Sequence, residues 1–309
     1  MDDISGYTYN KALNGKHHSR EEMLYHPRFL EIERQIASHL IDIHHRAPRL
    51  ARLAASHRKW LLTQMLFAMH VGRDRRDPRS GLTAGRFMQA ATGQKVASKN
   101  TAASFLSELV AYKFLRDVAD ETPDRRLRLL ETTPVSWDAM HSWFMGHMKC
   151  LDYLDGGNRA VAVTADIRLF ELAQPRAADI LLLEPVWRTP RDSIGNFLWS
   201  EVGGLVLHDL IRRLPDDARS RDRIIVEDVT FSEIASKFGI SLTNVKRMFR
   251  KAEADQLLGW EKAAGRGVLW LSRTFIEDYF HWQSAKFLEL DRAVHWAANR
   301  LQLTQSLCA

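Results

Sequence analysis

The sequence has only two cysteines in 309 residues, Cys150 and Cys308, which excludes a disulfide framework and leaves no CxxC pair to hold a structural metal. A reducing compartment suits such a chain, and a cytoplasmic location is the expectation. No uncharged apolar run nears the roughly 20 residues needed to span a bilayer. Residues Met1 to Arg20 are too polar for a secretory signal, so no membrane association is expected. Nucleophile elbows, phosphate-binding loops and paired-carboxylate constellations are missing as well. The one Gly-rich stretch, Gly265-Arg266-Gly267, suits a tight turn better than a nucleotide. An enzyme is therefore the least favoured class, and no cofactor is expected. His141, His147 and Cys150 fall close enough on one helix to suggest a metal, but Cys150 fits a buried position and no second ligand pair has suitable spacing, so no metal is expected.

What the chain does have is a 45% hydrophobic content over a length of about two ordinary domains, enough to bury a large core. Lys and Arg total 44 against 38 Asp and Glu, a net charge of +6 that favours a polyanionic partner without naming one.

Residues 1–26 show no sustained period and read as a flexible N-terminal arm. Phe29, Ile32, Ile36, Leu40 and Ile43 recur at three- and four-residue spacing, and Leu50 and Leu53 resume the pattern, predicting a helix to His57 that breaks near Pro48. Another helix is expected from Arg58 to Val71, followed by a charged loop to Gly81. From Leu82 to Leu130 the pattern is helix, turn, helix and strand pair. Thr83 opens a helix with Phe87 and Ala91 inward, Gly93 interrupts it, and Ser98 caps a second helix with Ala102, Phe105, Leu109 and Tyr112 inward. The strand pair forms a wing, out over Phe114 to Val118, turning at Asp120 to Asp124 and returning over Arg126 to Leu130. A helix from Ser136 to Leu154 closes this first module, 27–154, and 155–193 is an ordered connector.

The same plan recurs over 194–309. One amphipathic helix is expected from Ile194 to Leu214, then a short helix from Phe231 to Phe238 with Ile234, Ala235 and Phe238 inward. Gly239-Ile240 makes the turn, and Ser241 caps a helix with Val245, Phe249 and Ala252 inward. A second wing runs out over Leu257 to Glu261 and back over Val268 to Leu271, and a long helix from Ser272 to Leu301 follows. A shift of 144 residues superposes Phe87 on Phe231, Ala91 on Ala235, Val96 on Ile240, Asn100 on Asn244, Phe105 on Phe249 and Phe114 on Leu258, with a small gap near Gly93 and Gly239. The predicted fold class is mainly α with small β wings, a tandem winged helix-turn-helix with pseudo-twofold arrangement around a helical hub.

In a helix-turn-helix the second helix enters the major groove, which admits an α-helix and displays distinguishable base edges. With Val245, Phe249 and Ala252 inward, a turn of about 100° per residue puts Thr243, Asn244, Lys246, Arg247 and Arg250 outward, with Lys251 beside them. Arg247 and Arg250 are candidates for bidentate pairing with guanine, and Lys246 and Lys251 for phosphate. The corresponding helix of the first module carries Lys99, Asn100, Ala103 and Ser107 outward, a less basic face on which Asn100 suits adenine. Charge lies instead in its wing, at Arg125, Arg126 and Arg128; Arg266 occupies the tip of the second. Trp60, Trp137, Trp143, Phe144 and Trp199 pack the core or line a pocket for an aromatic ligand.

The stretch Asp124-Arg125-Arg126-Leu127-Arg128-Leu129-Leu130-Glu131-Thr132-Thr133 resembles the wing of the MarR family, with its Asp-x-Arg pattern followed by Leu-Thr or similar. The resemblance covers Leu82 to Pro134, roughly a sixth of the chain. It implies that Asp124 braces the wing, that Arg126 faces DNA, and that a small aromatic effector releases the DNA. The chain departs from the family in its length and in a second wing without Asp-x-Arg. Two unlike recognition helices on one chain suit an asymmetric site, which predicts a monomer with an internal pseudo-dimer; a homodimer is the alternative. The expected function is a double-stranded DNA-binding transcriptional regulator. A plasmid-type replication initiator and a winged-helix protein-interaction scaffold remain open.

Overall fold

Short polar side chains start most of the helices, because the first backbone N–H groups of a helix have no partner within it. The computed structural model describes residues 13, 15–49, 56–74, 76–77, 80–118, 128–227, 229–262, 265 and 268–308, with side chains as far as 302. Ser19 begins α1 (Arg20–Leu24): its hydroxyl accepts from the Glu22 N–H while the Glu22 carboxylate accepts from the Ser19 N–H. The arm expected to run loose as far as His26 is therefore folded from residue 15 onward, with Met23 fully buried. Helix α2 (Phe29–Arg46) follows, and α3 (His57–Val71) starts at a Ser56 cap. Leu50 and Leu53 lie outside the described residues.

Two units share one order of elements. The first comprises β1 (Leu82–Thr83), α4 (Ala84–Gly93), α5 (Lys99–Ala111), β2 (Leu115–Asp117), β3 (Leu129–Thr132) and α6 (Pro134–Asp155). Three helices come next, α7 (Arg159–Ala165), α8 (Ile167–Leu181) and α9 (Pro185–Arg188), then α10 (Asp192–Leu198) and α11 (Gly203–Arg212). The second unit comprises β4 (Arg223–Val226), α12 (Phe231–Phe238), α13 (Leu242–Ala254), β5 (Leu258–Trp260), β6 (Leu269–Ser272) and α14 (Arg273–Cys308). Each unit has a three-stranded antiparallel sheet with the last strand in the middle, β1-β3-β2 and β4-β6-β5. Leu82 pairs with Leu130 and Leu115 with Thr132; Val226 pairs with Leu269 and Leu258 with Leu271. Strands β1 and β4 had no sequence signal, since two to four residues are too few to show alternation.

The structure corrects the register of the repeat. Helix α4 runs through Gly93, and its left-handed terminator is Lys95 at φ 55°, matching Gly239 at φ 62° after α12, where the absence of a side chain makes that backbone easy. The Val96 N–H donates to the Ala91 carbonyl as the Ile240 N–H donates to that of Ala235, so the 144 shift holds through the turn. Ala97 is then one residue extra. Beyond it Ser98 matches Ser241, each hydroxyl accepting from the N–H three residues on. Asn100 therefore corresponds to Thr243 rather than Asn244, Phe105 to Met248 and Leu106 to Phe249. Leu115 rather than Phe114 answers Leu258. The left-handed residues that end the second helices, Lys113 at φ 59° and Gln256 at φ 56°, keep the same spacing. Tyr112 points outward at 56% exposure, so it does not belong to the inward stripe.

The expected single helix from Ile194 to Leu214 is two. Val202 adopts φ 52° and Gly203 lies so close to the Phe197 carbonyl that a side chain there would overlap the backbone, so α10 and α11 meet at a tight corner. The stretch 155–193, expected as an ordered connector, is helical and packs on the hub: α8 lies along both α14 and α3, while α2 packs on α6 and α11. These helices share one contiguous apolar core with both units. No helix among the described residues is long and apolar enough to cross a membrane.

Candidate nucleic-acid interface

Helix α13 divides into two faces. Val245, Met248, Phe249 and Ala252 are buried, and the Phe249 ring packs edge-on and tilted among Phe197, Phe231 and Trp260. Asn196 of α10 adds a fixed point, its side-chain N–H donating to the Met248 carbonyl at 2.8 Å. That anchoring leaves Thr243, Asn244, Lys246, Arg247, Arg250 and Lys251 exposed together on the outer face. None of the four cations enters an ion pair with a described residue.

Other cations of the same unit are differently placed. Lys237, Arg212 and Arg213 converge on Asp209, with Lys237 Nζ and Arg212 Nε each donating to Oδ1 at distances of 2.6 and 2.7 Å. Burial alone would raise the Asp209 carboxyl, but these donors hold it below its ordinary range. This cluster ties α12 to α11 and sets the posture of the helix pair.

In the first unit Lys99, Asn100 and Ser107 are exposed on α5 and Ala103 is half-buried. The Ser107 hydroxyl donates back to the Ala103 carbonyl at 3.0 Å, which leaves it an acceptor for any outside partner. Asn100, Thr101 and Ser104 line a shallow groove with Arg58 and Lys59 of α3. Lys59 is paired with Glu108 at 3.5 Å and Arg58 is exposed, so a further cation beside the α5 face, besides its own Lys99, comes from another helix. Arg128 forms a two-point pair with Asp117 across β2 and β3, its Nη2 at 2.8 Å from Oδ2; Arg116 pairs with Glu131 at 2.6 Å beside it. Arg128 thus braces the hairpin stem. Arg125, Arg126 and Arg266, together with Asp124, lie outside the described residues.

A second feature lies in the hub. An apolar cavity of about 180 Å³ is bounded by Trp60, Trp143, Trp187 and Trp282, with Leu109, Phe114 and Thr132 of the first unit on its wall. Trp60 and Trp143 are the two aromatic residues expected here that line it. Trp137 and Phe144 instead pack on Phe170, and Trp199 is partly exposed against His57. Lys286 of α14 also lines the cavity; it is 2% exposed, has its ammonium 5.5 Å from the Trp187 ring, and forms no ion pair with a described residue. Burial pushes the Lys286 ammonium down to about 8 despite the attraction of Glu33, and pushes the Glu33 carboxyl up to about 8. His57 and His208 on the same cavity are lowered by burial to about 4 and about 3, so both are neutral at pH 7. Neither Lys286 nor Glu33 stood out in the sequence, where each is one charged residue on a helix of mixed composition. His147 and Cys150 are core residues: the imidazole bonds the Trp143 carbonyl at 2.7 Å, and burial raises the thiol to about 12.

No protein-family model matches the chain, and neither a curated protein nor a solved structure does.

Proposed function

We propose that this chain is a sequence-specific double-stranded DNA-binding transcriptional regulator, with its two strand–helix–helix–strand–strand units acting as MarR-like winged helix-turn-helix modules in tandem. The observation that carries the reading is the outer face of α13, where four cations and two short polar side chains stand exposed, the cations without an ion pair to any described residue, on a helix anchored through its opposite face. A cation already paired within the protein must break that pair to meet a phosphate, whereas these four have no such pair with a described residue. The face of α5 is small and polar, with Arg58 beside it. The two helices would therefore read unlike half-sites, and one chain would suffice for an asymmetric operator.

The aromatic cavity supports an effector-responsive regulator. Its volume exceeds the roughly 150 Å³ of an engineered apolar cavity that binds benzene, so a single-ring compound fits. Lys286 gives that ligand a reason to be an acid, since a carboxylate would pair with a buried ammonium that forms no ion pair with a described residue. Its wall carries Leu109 at the end of α5 and Phe114 at the foot of the first hairpin, so occupancy would bear on the posture of that module.

Selection of bound fragments from genomic DNA by the purified protein tests the reading. An asymmetric motif upstream of particular genes is expected. Repeated motifs clustered at one origin would mark a replication initiator, and no enrichment at any salt concentration would refute DNA binding.

A further inference from the structure

Where the described chain begins, it crosses the end of α14 at a knot of ionisable groups that the DNA-binding reading does not use. Arg159, fully buried at the start of α7, donates Nε to Asp291 at 2.7 Å and Nη2 to Asp155 at 2.8 Å, with Nη1 3.3 Å from Asp152. One guanidinium among three carboxylates leaves an excess of two negative charges in a place where the Asp155 and Asp291 side chains are 5% and 1% exposed. Burying unbalanced charge is costly, so something positive is called for.

Histidines surround this excess. His18 Nε2 is 3.4 Å from Asp155, His295 Nε2 is 3.4 Å from Asp291, and the His17 ring lies 4.2 Å from that of His295. His17, Asp291 and His295 each bring a ligand atom to within 4.8 Å of the other two. Asp291 Oδ2 and His295 Nε2 are buried there, and neither makes a hydrogen bond among the described residues.

We propose that His17, Asp291 and His295 bind a first-row divalent cation of the Zn²⁺ type. Two imidazoles and a carboxylate suit a borderline ion, whereas Ca²⁺ and Mg²⁺ prefer shells of six or more oxygens. Asp291 and His295 are four apart on α14 and so share one helical face. Arg159 holds one oxygen of Asp291 and leaves the other for the ion, the kind of support that orients metal-binding carboxylates. The ligand atoms of this set lie within 4.8 Å of one another, and tetrahedral ligands at bond lengths of about 2.0–2.1 Å sit roughly 3.3 Å apart, so closure takes up to about 1.5 Å, most easily by the exposed His17. Three protein ligands leave a fourth position for water. The added charge cancels the excess, and the ion fastens the segment before α1 to α14. That segment is already seated by the Lys16 N–H donating to Asp155 at 3.0 Å.

Full-length protein, stripped with a chelator and dialysed, is titrated with Zn²⁺ against a chromophoric competitor and, separately, with Co²⁺ while its d–d absorption is recorded. One equivalent bound is expected, with Co²⁺ bands characteristic of four-coordinate nitrogen and oxygen ligation. His17→Ala, at an exposed position that does not threaten folding, lowers the affinity by at least about tenfold, since even outer-shell changes cost roughly 10- to 100-fold. His295→Gln does the same, and circular dichroism of each variant confirms that the helices remain. Failure of the wild type to retain Zn²⁺ against the competitor, or a His17→Ala variant that binds as tightly, overturns the site and leaves the knot as an ion-pair latch.

Discussion

The outer face of α13 permits a quantitative test in which lysine and arginine substitutions have different signatures. Lys246, Arg247, Arg250 and Lys251 are exposed and make no ion pair with a described residue, so replacing any of them with Ala should leave stability within about 0.5 kcal/mol. If Lys246 and Lys251 each neutralise one phosphate, together they contribute about 1.8 to the slope of log affinity against log salt. Between 50 and 200 mM salt that share alone weakens binding about 12-fold. Lys246→Ala should lower the slope by about 0.9 and weaken every sequence alike. Arg247→Ala and Arg250→Ala should behave differently, removing about 1–3 kcal/mol from the selected operator only, a loss of about 5- to 150-fold in specificity. Fluorescence anisotropy on the operator and on a scrambled duplex, at four salt concentrations, reads both quantities. Unchanged slopes and unchanged specificity across all four variants would refute the assignment of α13 to the groove.

Other consequences follow from the hub and its joints. Gly203→Ala brings a methyl group against the Phe197 carbonyl, a backbone obstacle that cannot rotate away, and should destabilise the fold by about 1–3 kcal/mol or more in calorimetry; an unaltered melting temperature would disprove the tight corner. The lowered His57 and His208 contribute stability that is present above their ordinary value of 6.5 and lost as pH falls toward about 4 and about 3. For His57 the loss by pH 4.5 is about 2.5 kcal/mol, so urea midpoints should drop steeply between pH 6.5 and 4.5 and less so in His57→Gln. Lys286, lowered to about 8, contributes stability only above its ordinary 10.5 and loses it as pH falls through 8, so it opposes folding at pH 7. Lys286→Met should raise the melting temperature at pH 7 and abolish calorimetric binding of benzoate while sparing a neutral ring such as toluene. Benzoate binding that survives the substitution would remove Lys286 from the pocket's selectivity.

Much of the architecture was legible because it depends on neighbours in sequence. Ser98, Ser241 and Thr83 start helices through bonds to N–H groups three residues away, and the buried stripe Val245, Phe249, Ala252 is a matter of helical period. The outward cations of α13 follow from that same period. Local pattern failed where a position depends on what packs across from it. Tyr112 has the spacing of an inward residue yet stands exposed at the end of α5, and the one extra residue at Ala97 is marked only by the positions of the caps and of the left-handed residues around it. The corner at Gly203 depends on the Phe197 carbonyl folding back, which no periodicity encodes.

By itself, then, the order of residues determined where helices begin, which of their faces turn inward, and that basic side chains crowd one outer face. Tertiary structure alone decided which charged groups are neutralised and which are not. Arg128 stands beside Asp117 across a hairpin, Lys286 enters an aromatic cavity without an ion pair to any described residue, and His17 meets Asp291 and His295 from the far end of the chain. The physical reason is that a charge is governed by burial and by whatever lies within a few ångströms of it, and those neighbours come from segments separated by many residues and brought together only by folding.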